Sequence, residues 1–141
     1  MQKTEGNASA RAGELIAVSP SGLRYETLRP EDVGLVTADG ELVEGPQPSV
    51  ELPMHLAVYA ARPDVGAVVH THSPRATVRP PCPVAVGVSG SAELGAAVVA
   101  AAASGHAVVM RDHGPVCFGA DLAEALARAF ELEARARPDR P

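Results

Sequence analysis

The chain has 141 residues, 46% of them apolar, with a formal charge of -5 at neutral pH, no tryptophan and no apolar run of membrane-spanning length. These figures fit one domain with a modest core, and they argue against a membrane helix and against a basic nucleic-acid surface. The N-terminal stretch 1–6 lacks the apolar segment of a signal peptide, so a cytoplasmic protein is expected.

Residues 15–18 read as a short buried strand, and 33–37 with 42–43 as a hairpin turned by Asp39-Gly40. A helix is predicted over 50–61, because Pro53 is tolerated only in a first turn. Residues 67–72 and 84–88 read as strands, the second following the breaker cluster Arg79-Pro80-Pro81-Cys82-Pro83. The alanine-rich stretch 92–103 reads as a helix closed by Ser104-Gly105, and 107–110 and 116–118 as two further strands. Asp121 with Glu124 three residues later gives a capping-box start to a final helix carrying Leu122, Ala125, Leu126, Ala129 and Phe130. No internal repeat or linker interrupts the series, so one mixed α/β sandwich is expected. Cys82 and Cys117 lack CxxC spacing and read as buried fillers rather than a disulfide.

The chemistry starts at His70-Thr71-His72, which ends the apolar run Ala67-Val68-Val69. A strand sends alternate side chains to one face, so both imidazoles would aim at one point. Such a pair is half of a metal site, or else two solvated histidines at a strand end. His113, between Asp112 and Gly114, supplies another imidazole at a strand exit. Glu51 opens the helix over 50–61, either as a first-turn charge suited to the helix dipole or as a ligand. Three histidines and a glutamate would suit a zinc-like divalent ion, with the carboxylate displaceable for chemistry. His55 shares a helical face with Glu51 but reads as a half-buried histidine bonded to backbone, and His106 as a solvated turn residue. Gly6-Asn7, Ser21-Gly22 and Ser49 lie in turn sequences able to cradle an anion or simply to turn the chain. Lys3, the only lysine, sits where a chain end frays, which argues against a Schiff-base amine and leaves carbonyl activation to a metal.

At these residues the chain resembles the class II aldolase/adducin family, which includes L-fuculose-1-phosphate aldolase. The resemblance runs through Gly6-Asn7-Ala8-Ser9, Ser19-Pro20-Ser21-Gly22-Leu23, Leu28-Arg29-Pro30-Glu31-Asp32-Val33, Pro48-Ser49-Val50-Glu51-Leu52-Pro53-Met54-His55, the segment from Arg62 to Pro74, His113-Gly114 and the helix from Leu122, in the family's order. It implies a three-layer α/β/α sandwich with a central, largely antiparallel sheet, as a single domain over 1–141 that lacks the family's first helix and C-terminal tail. It implies Glu51, His70, His72 and His113 as ligands of a divalent metal, zinc first with manganese or cobalt as alternatives, and Gly6, Asn7, Ser21, Gly22 and Ser49 as phosphate contacts. Glu5 and Val50 stand where the family often has serines, which weakens a phosphate site.

The implied activity is that of a metal-dependent lyase cleaving a small hydroxy-ketone, such as a ketose 1-phosphate, through a metal-stabilised enediolate. In that reaction Glu51 would leave the metal and move the substrate proton, helped by a raised pKa. Glutamate at 51 favours aldol cleavage over the family's alternatives of epimerisation, decarboxylation or dehydration. A non-catalytic adducin-like or degenerate member is the contrasting expectation, because the tyrosines that assist the aldolases at subunit boundaries have no evident counterpart; Tyr25 and Tyr59 read as packing residues. The expected partners are a small sugar substrate and further copies of the chain, most simply a homotetramer, with neither nucleic acid nor membrane.

Overall fold

The computed structural model describes residues 6–21 and 25–136. Its strands are β1 (Asn7–Ala12), β2 (Leu15–Val18), β3 (Gly34–Val36), β4 (Leu42–Glu44), β5 (Ala67–His70), β6 (Val84–Ala85), β7 (Ala107–Met110) and β8 (Gly114–Gly119). The helices are α1 (Leu52–Ala61), α2 (Pro74–Val78), α3 (Ala92–Ala102) and α4 (Leu122–Arg135). One sheet holds all eight strands in the order β4-β3-β2-β1-β5-β8-β7-β6. Every strand pair is antiparallel except the short parallel pair β6–β7, so the sheet is largely antiparallel as expected.

Two apolar clusters cover its faces. Met54 and Val58 of α1 and Leu94 and Val98 of α3 pack with Ile16, Val18, Val68, Val108, Val116 and Phe118 on one side. Ala125, Ala129 and Leu132 of α4 and Ala76 of α2 pack with Ala67, Val69 and Cys117 on the other. The result is the three-layer α/β/α sandwich. All four residues of β5 are buried, which fits the apolar run Ala67-Val68-Val69 in place of an apolar/polar alternation and leaves His70 as its one polar residue. Since Ala67 and Val69 face α4 while Val68 faces α1, alternation turns His70 toward the α1 layer.

The elements differ from expectation in instructive ways. β5 ends at His70 rather than 72, although Thr71 N–H still bonds the Pro115 carbonyl at 3.2 Å. α1 begins at Leu52, with Glu51 as its N-cap and Pro53 inside the first turn. β6 is confined to two residues because only Val84 and Ala85 find a partner strand. The left-handed residue closing α3 is Ala103, with φ of 47°, not Gly105. Ser91 and Asp121 cap α3 and α4 by accepting the N–H groups of Leu94 and Glu124 at 3.1 and 2.8 Å. Cys82 and Cys117 are free, with Cys117 buried in the α4-side cluster. Among the described residues no helix is long and apolar enough to cross a membrane.

Candidate metal centre and substrate pocket

β5 lies between β1 and β8, with His70 directly opposite Asn7 on one side and Val116 on the other. The His70 side chain is fully buried, and its Nδ1–H donates to the Pro115 carbonyl at 2.9 Å. That bond leaves Nε2 facing the site, 3.2 Å from Glu51 Oε2, where it donates to the carboxylate when protonated and offers a lone pair to an ion when not. His113 stands in the turn between β7 and β8, where Asp112 adopts a left-handed φ of 57°. A Cβ on Gly114 would collide with the Thr71 carbonyl oxygen, so only glycine lets this turn close over the end of β5. The closure brings His113 Nε2 to 3.2 Å from His70 Nε2. His72, past the strand and exposed, completes the group: ring centroids are 4.9 Å from His70 and 5.1 Å from His113. One ligand nitrogen from each of the three lies within 4.8 Å of the others.

Glu51 enters from the α1 layer, 5% exposed. Its Oε2 lies 3.2 Å from His70 Nε2 and its Oε1 3.3 Å from His113 Nε2. Asn7 Nδ2–H donates to Oε2 at 2.7 Å and the Ser89 hydroxyl to Oε1 at 3.3 Å. Burial pushes the Glu51 carboxyl up, but the His70 hydrogen bond and charge, the Asn7 bond and the His113 charge outweigh it and hold it at about 2. The raised pKa expected from an apolar wall is therefore not met, because polar partners surround both oxygens; Glu51 rests as a carboxylate. Burial, with His70 and His72 beside it, also lowers His113 and keeps its imidazole neutral, against a smaller opposing pull from Glu51. Three imidazole nitrogens converging beside a carboxylate are, once deprotonated, the donor set of a borderline divalent cation, and the group fits one.

A pocket of about 250 Å³ opens over this cluster. Gly6, Asn7, Ser21 and Ser49, expected from the sequence, line it together with Glu51, His72 and His113. Gly22 lies outside the described residues. Gly6 has φ of 83°, and a Cβ there would stand 2.6 Å from the His70 carbonyl oxygen, so the glycine allows the chain to pass the histidine cluster closely. Ser89, also lining the pocket, was not foreseen: it sits in an irregular stretch before the Ser91 cap and carries no motif of its own.

Behind Glu51 runs a buried polar chain. Asn7 Oδ1 accepts from His55 Nε2–H, Ser9 Oγ lies 2.6 Å from His55 Nδ1, and Tyr59 OH lies 2.8 Å from Ser9 Oγ. His55 is fully buried and bonded to side chains, unlike the half-buried, backbone-bonded residue expected. Burial and the His70 charge hold its pKa down at about 3, against a smaller pull from Glu51. An unfolded chain protonates this imidazole below about 6.5 while the folded one does not until about 3, so the unfolded state binds more protons and stability falls as pH drops across that window. The slope from this group is at most about 1.4 kcal/mol per pH unit. Urea midpoints at pH 7, 6 and 5 should fall for the wild type and fall less steeply for His55→Gln; parallel slopes would show that the buried imidazole is not responsible.

A class emerges from the sandwich and its histidine–carboxylate centre: residues 1–80 and 79–138 match the Class II Aldolase and Adducin N-terminal domain, and the chain belongs to that family. Among its relatives is the 5-methylthioribulose-1-phosphate/5-deoxyribulose-1-phosphate aldolase of Rhodospirillum rubrum, 36% identical over 150 residues covering 92% of this chain and 68% of that protein. The L-ribulose-5-phosphate 4-epimerase UlaF of Salmonella paratyphi B is 33% identical across 95% of this chain and 74% of its own length. The fold superposes with a TM-score of 0.91, at 29% identity, on YgbL of Escherichia coli, to which aldolase, epimerase and decarboxylase are ascribed as alternatives; the match covers 99% of this chain and 82% of that one.

Proposed function

We propose that this chain is a metal-dependent lyase of class II aldolase type, acting reversibly on a small ketose phosphate. The observation that carries the reading is the convergence of His70, His72 and His113 within 4.8 Å, with the two Glu51 oxygens 3.2 and 3.3 Å from His70 and His113. These four residues would hold a divalent ion, zinc first with manganese or cobalt as alternatives. When bound, the ion supplies Lewis acidity toward a carbonyl and its neighbouring hydroxyl. His70, His72 and His113 stay as ligands, fixed by the strand end and the β7–β8 turn. Glu51, a carboxylate at rest, takes the proton from the carbon beside the carbonyl in the condensation direction and returns it in cleavage. The Ser21 and Ser49 hydroxyls, in residues that line the pocket, offer donors for a substrate phosphate, and Gly6, Asn7 and Gly22 are the further phosphate contacts that the family resemblance implies.

Val50 and Val88, 72% and 77% exposed, stand at or beside that mouth and support a homotetramer whose neighbouring copy finishes the pocket. Cytoplasmic residence accompanies the reading. A second reading, epimerisation, is favoured by the likeness to UlaF across 95% of the chain.

Elemental analysis after gentle purification should give about one divalent ion per chain, and light scattering a tetramer. A panel of 5-deoxyribulose 1-phosphate, L-fuculose 1-phosphate and L-ribulose 5-phosphate should show carbon–carbon cleavage of a ketose 1-phosphate. Protein that neither retains nor takes up zinc, cobalt or manganese would sink the mechanism, and turnover of ribulose 5-phosphate alone, without cleavage, would select the epimerase.

A further inference from the structure

Glu51, His55 and Tyr59 recur at four-residue intervals from the N-cap of α1 onward, and Asn7, Ser9 and Arg11 at two-residue intervals along β1. Four helical residues advance about 6 Å and two strand residues about 6.6 Å, so the two rows are nearly commensurate. They interdigitate as a zipper: Glu51, Asn7, His55, Ser9, Tyr59, with each successive pair hydrogen-bonded. The Arg11 guanidinium closes the series, 4.8 Å from the centre of the Tyr59 ring. Every buried polar side-chain atom among the described residues has a hydrogen-bond partner.

The proton positions in this zipper follow by elimination. The Glu51 carboxylate only accepts, so the Asn7 amide must present Nδ2 to it and turn Oδ1 the other way. Oδ1 only accepts, so His55 must donate from Nε2. A neutral ring then has an accepting Nδ1, which takes the Ser9 hydroxyl proton, and Ser9 takes the proton of Tyr59. Reversing the amide would set Oδ1 against a carboxylate oxygen and Nδ2 against a donor. Asn7 therefore has one orientation as long as His55 holds its proton on Nε2. An amide does not pass protons along as hydroxyls do, so the chain orients groups rather than conducting charge.

We infer that His55 is a positioning residue for Glu51: its Nε2–H locks the Asn7 amide in the orientation that holds the Glu51 carboxylate against His70 and His113. This rests on the role proposed above for Glu51 and assigns the zipper behind it a function. Glutamine at this position offers the same donor to Asn7 and an acceptor toward Ser9, whereas leucine fills the space and offers neither.

Ring ¹⁵N NMR of the zinc-loaded wild type should show His55 neutral with the proton on Nε2. The Asn7 side-chain amide should show one proton shifted downfield by the carboxylate, kept in His55→Gln and lost in His55→Leu. In kinetics on the cleaved ketose phosphate, His55→Leu should lower kcat by at least about tenfold with KM and zinc content within about twofold, and His55→Gln should stay within about threefold of wild type. An Nδ1–H tautomer, an imidazolium, equal losses in the two variants, or a loss in His55→Leu that tracks zinc loss would each overturn the inference. The wild-type tautomer decides it even where His55→Leu fails to fold. If no substrate on the panel turns over, the reaction reading fails, while the tautomer and the Asn7 amide still test the zipper.

Discussion

Glu51→Gln should lower turnover of a ketose 1-phosphate by about 10²- to 10⁴-fold, the range for removing a general base, while the protein keeps most of its divalent ion. The glutamine retains the length and one accepting oxygen but removes the charge that His70, His113, Asn7 and Ser89 surround. His70, His72 and His113 remain to hold a metal, so metal content and activity should separate. The measurement is stoichiometry by elemental analysis beside kcat on the same preparation. Wild-type turnover with metal bound would place the proton carrier elsewhere.

The second large effect distinguishes two histidines by their burial. His70→Ala removes a fully buried ring, frees the Pro115 carbonyl it satisfies and strips Glu51 of a partner 3.2 Å away. It should abolish metal binding and lower the unfolding free energy by roughly 2–4 kcal/mol, as loss of a buried, hydrogen-bonded side chain does. His72 is exposed beyond the strand, so His72→Ala should remove metal and activity together yet leave metal-free stability within about 0.5 kcal/mol. Denaturant titrations of metal-free protein read the difference. Equal destabilisation of both variants would mean that burial does not set the cost of losing these rings.

Much of this was legible because the informative residues obey simple periodicities. The apolar runs before His70 and His113, and the proline in the first turn after Glu51, marked element ends, and element ends are where ligands gather in this fold. The convergence of His70 with His72 was foreseen for an incomplete reason. Strand alternation fixes only the first ring, and the second reaches the cluster from the extended residues that follow. β1 escaped notice because its buried face carries Asn7 and Ser9, whose burial is tolerable only opposite His55, Tyr59 and Glu51 of a helix more than forty positions away. Sequence periodicity carries no trace of such a pairing. The same zipper sets the environment of His55, while the low pKa of Glu51 comes first from His70 at the end of β5, with Asn7 of β1 adding to it. α2, five residues after Ser73, was too short to leave a pattern.

β5 is paired along its whole length on both edges, whereas the pocket mouth hangs on few bonds, such as Ser21 N–H to the Gln47 carbonyl at 3.1 Å and Ser49 N–H to the Ser19 carbonyl at 3.1 Å. The two ends of the site should therefore live on different timescales. In hydrogen exchange, amides of β5 should exchange only with global unfolding and those of Ser21 and Ser49 through local opening. Matching protection at both ends would show one cooperative unit. A stiff floor beneath a loosely tethered mouth allows substitutions around the mouth to redirect which sugar is accepted while the ligand geometry stays fixed, so substrate range can drift in such a protein faster than its chemistry.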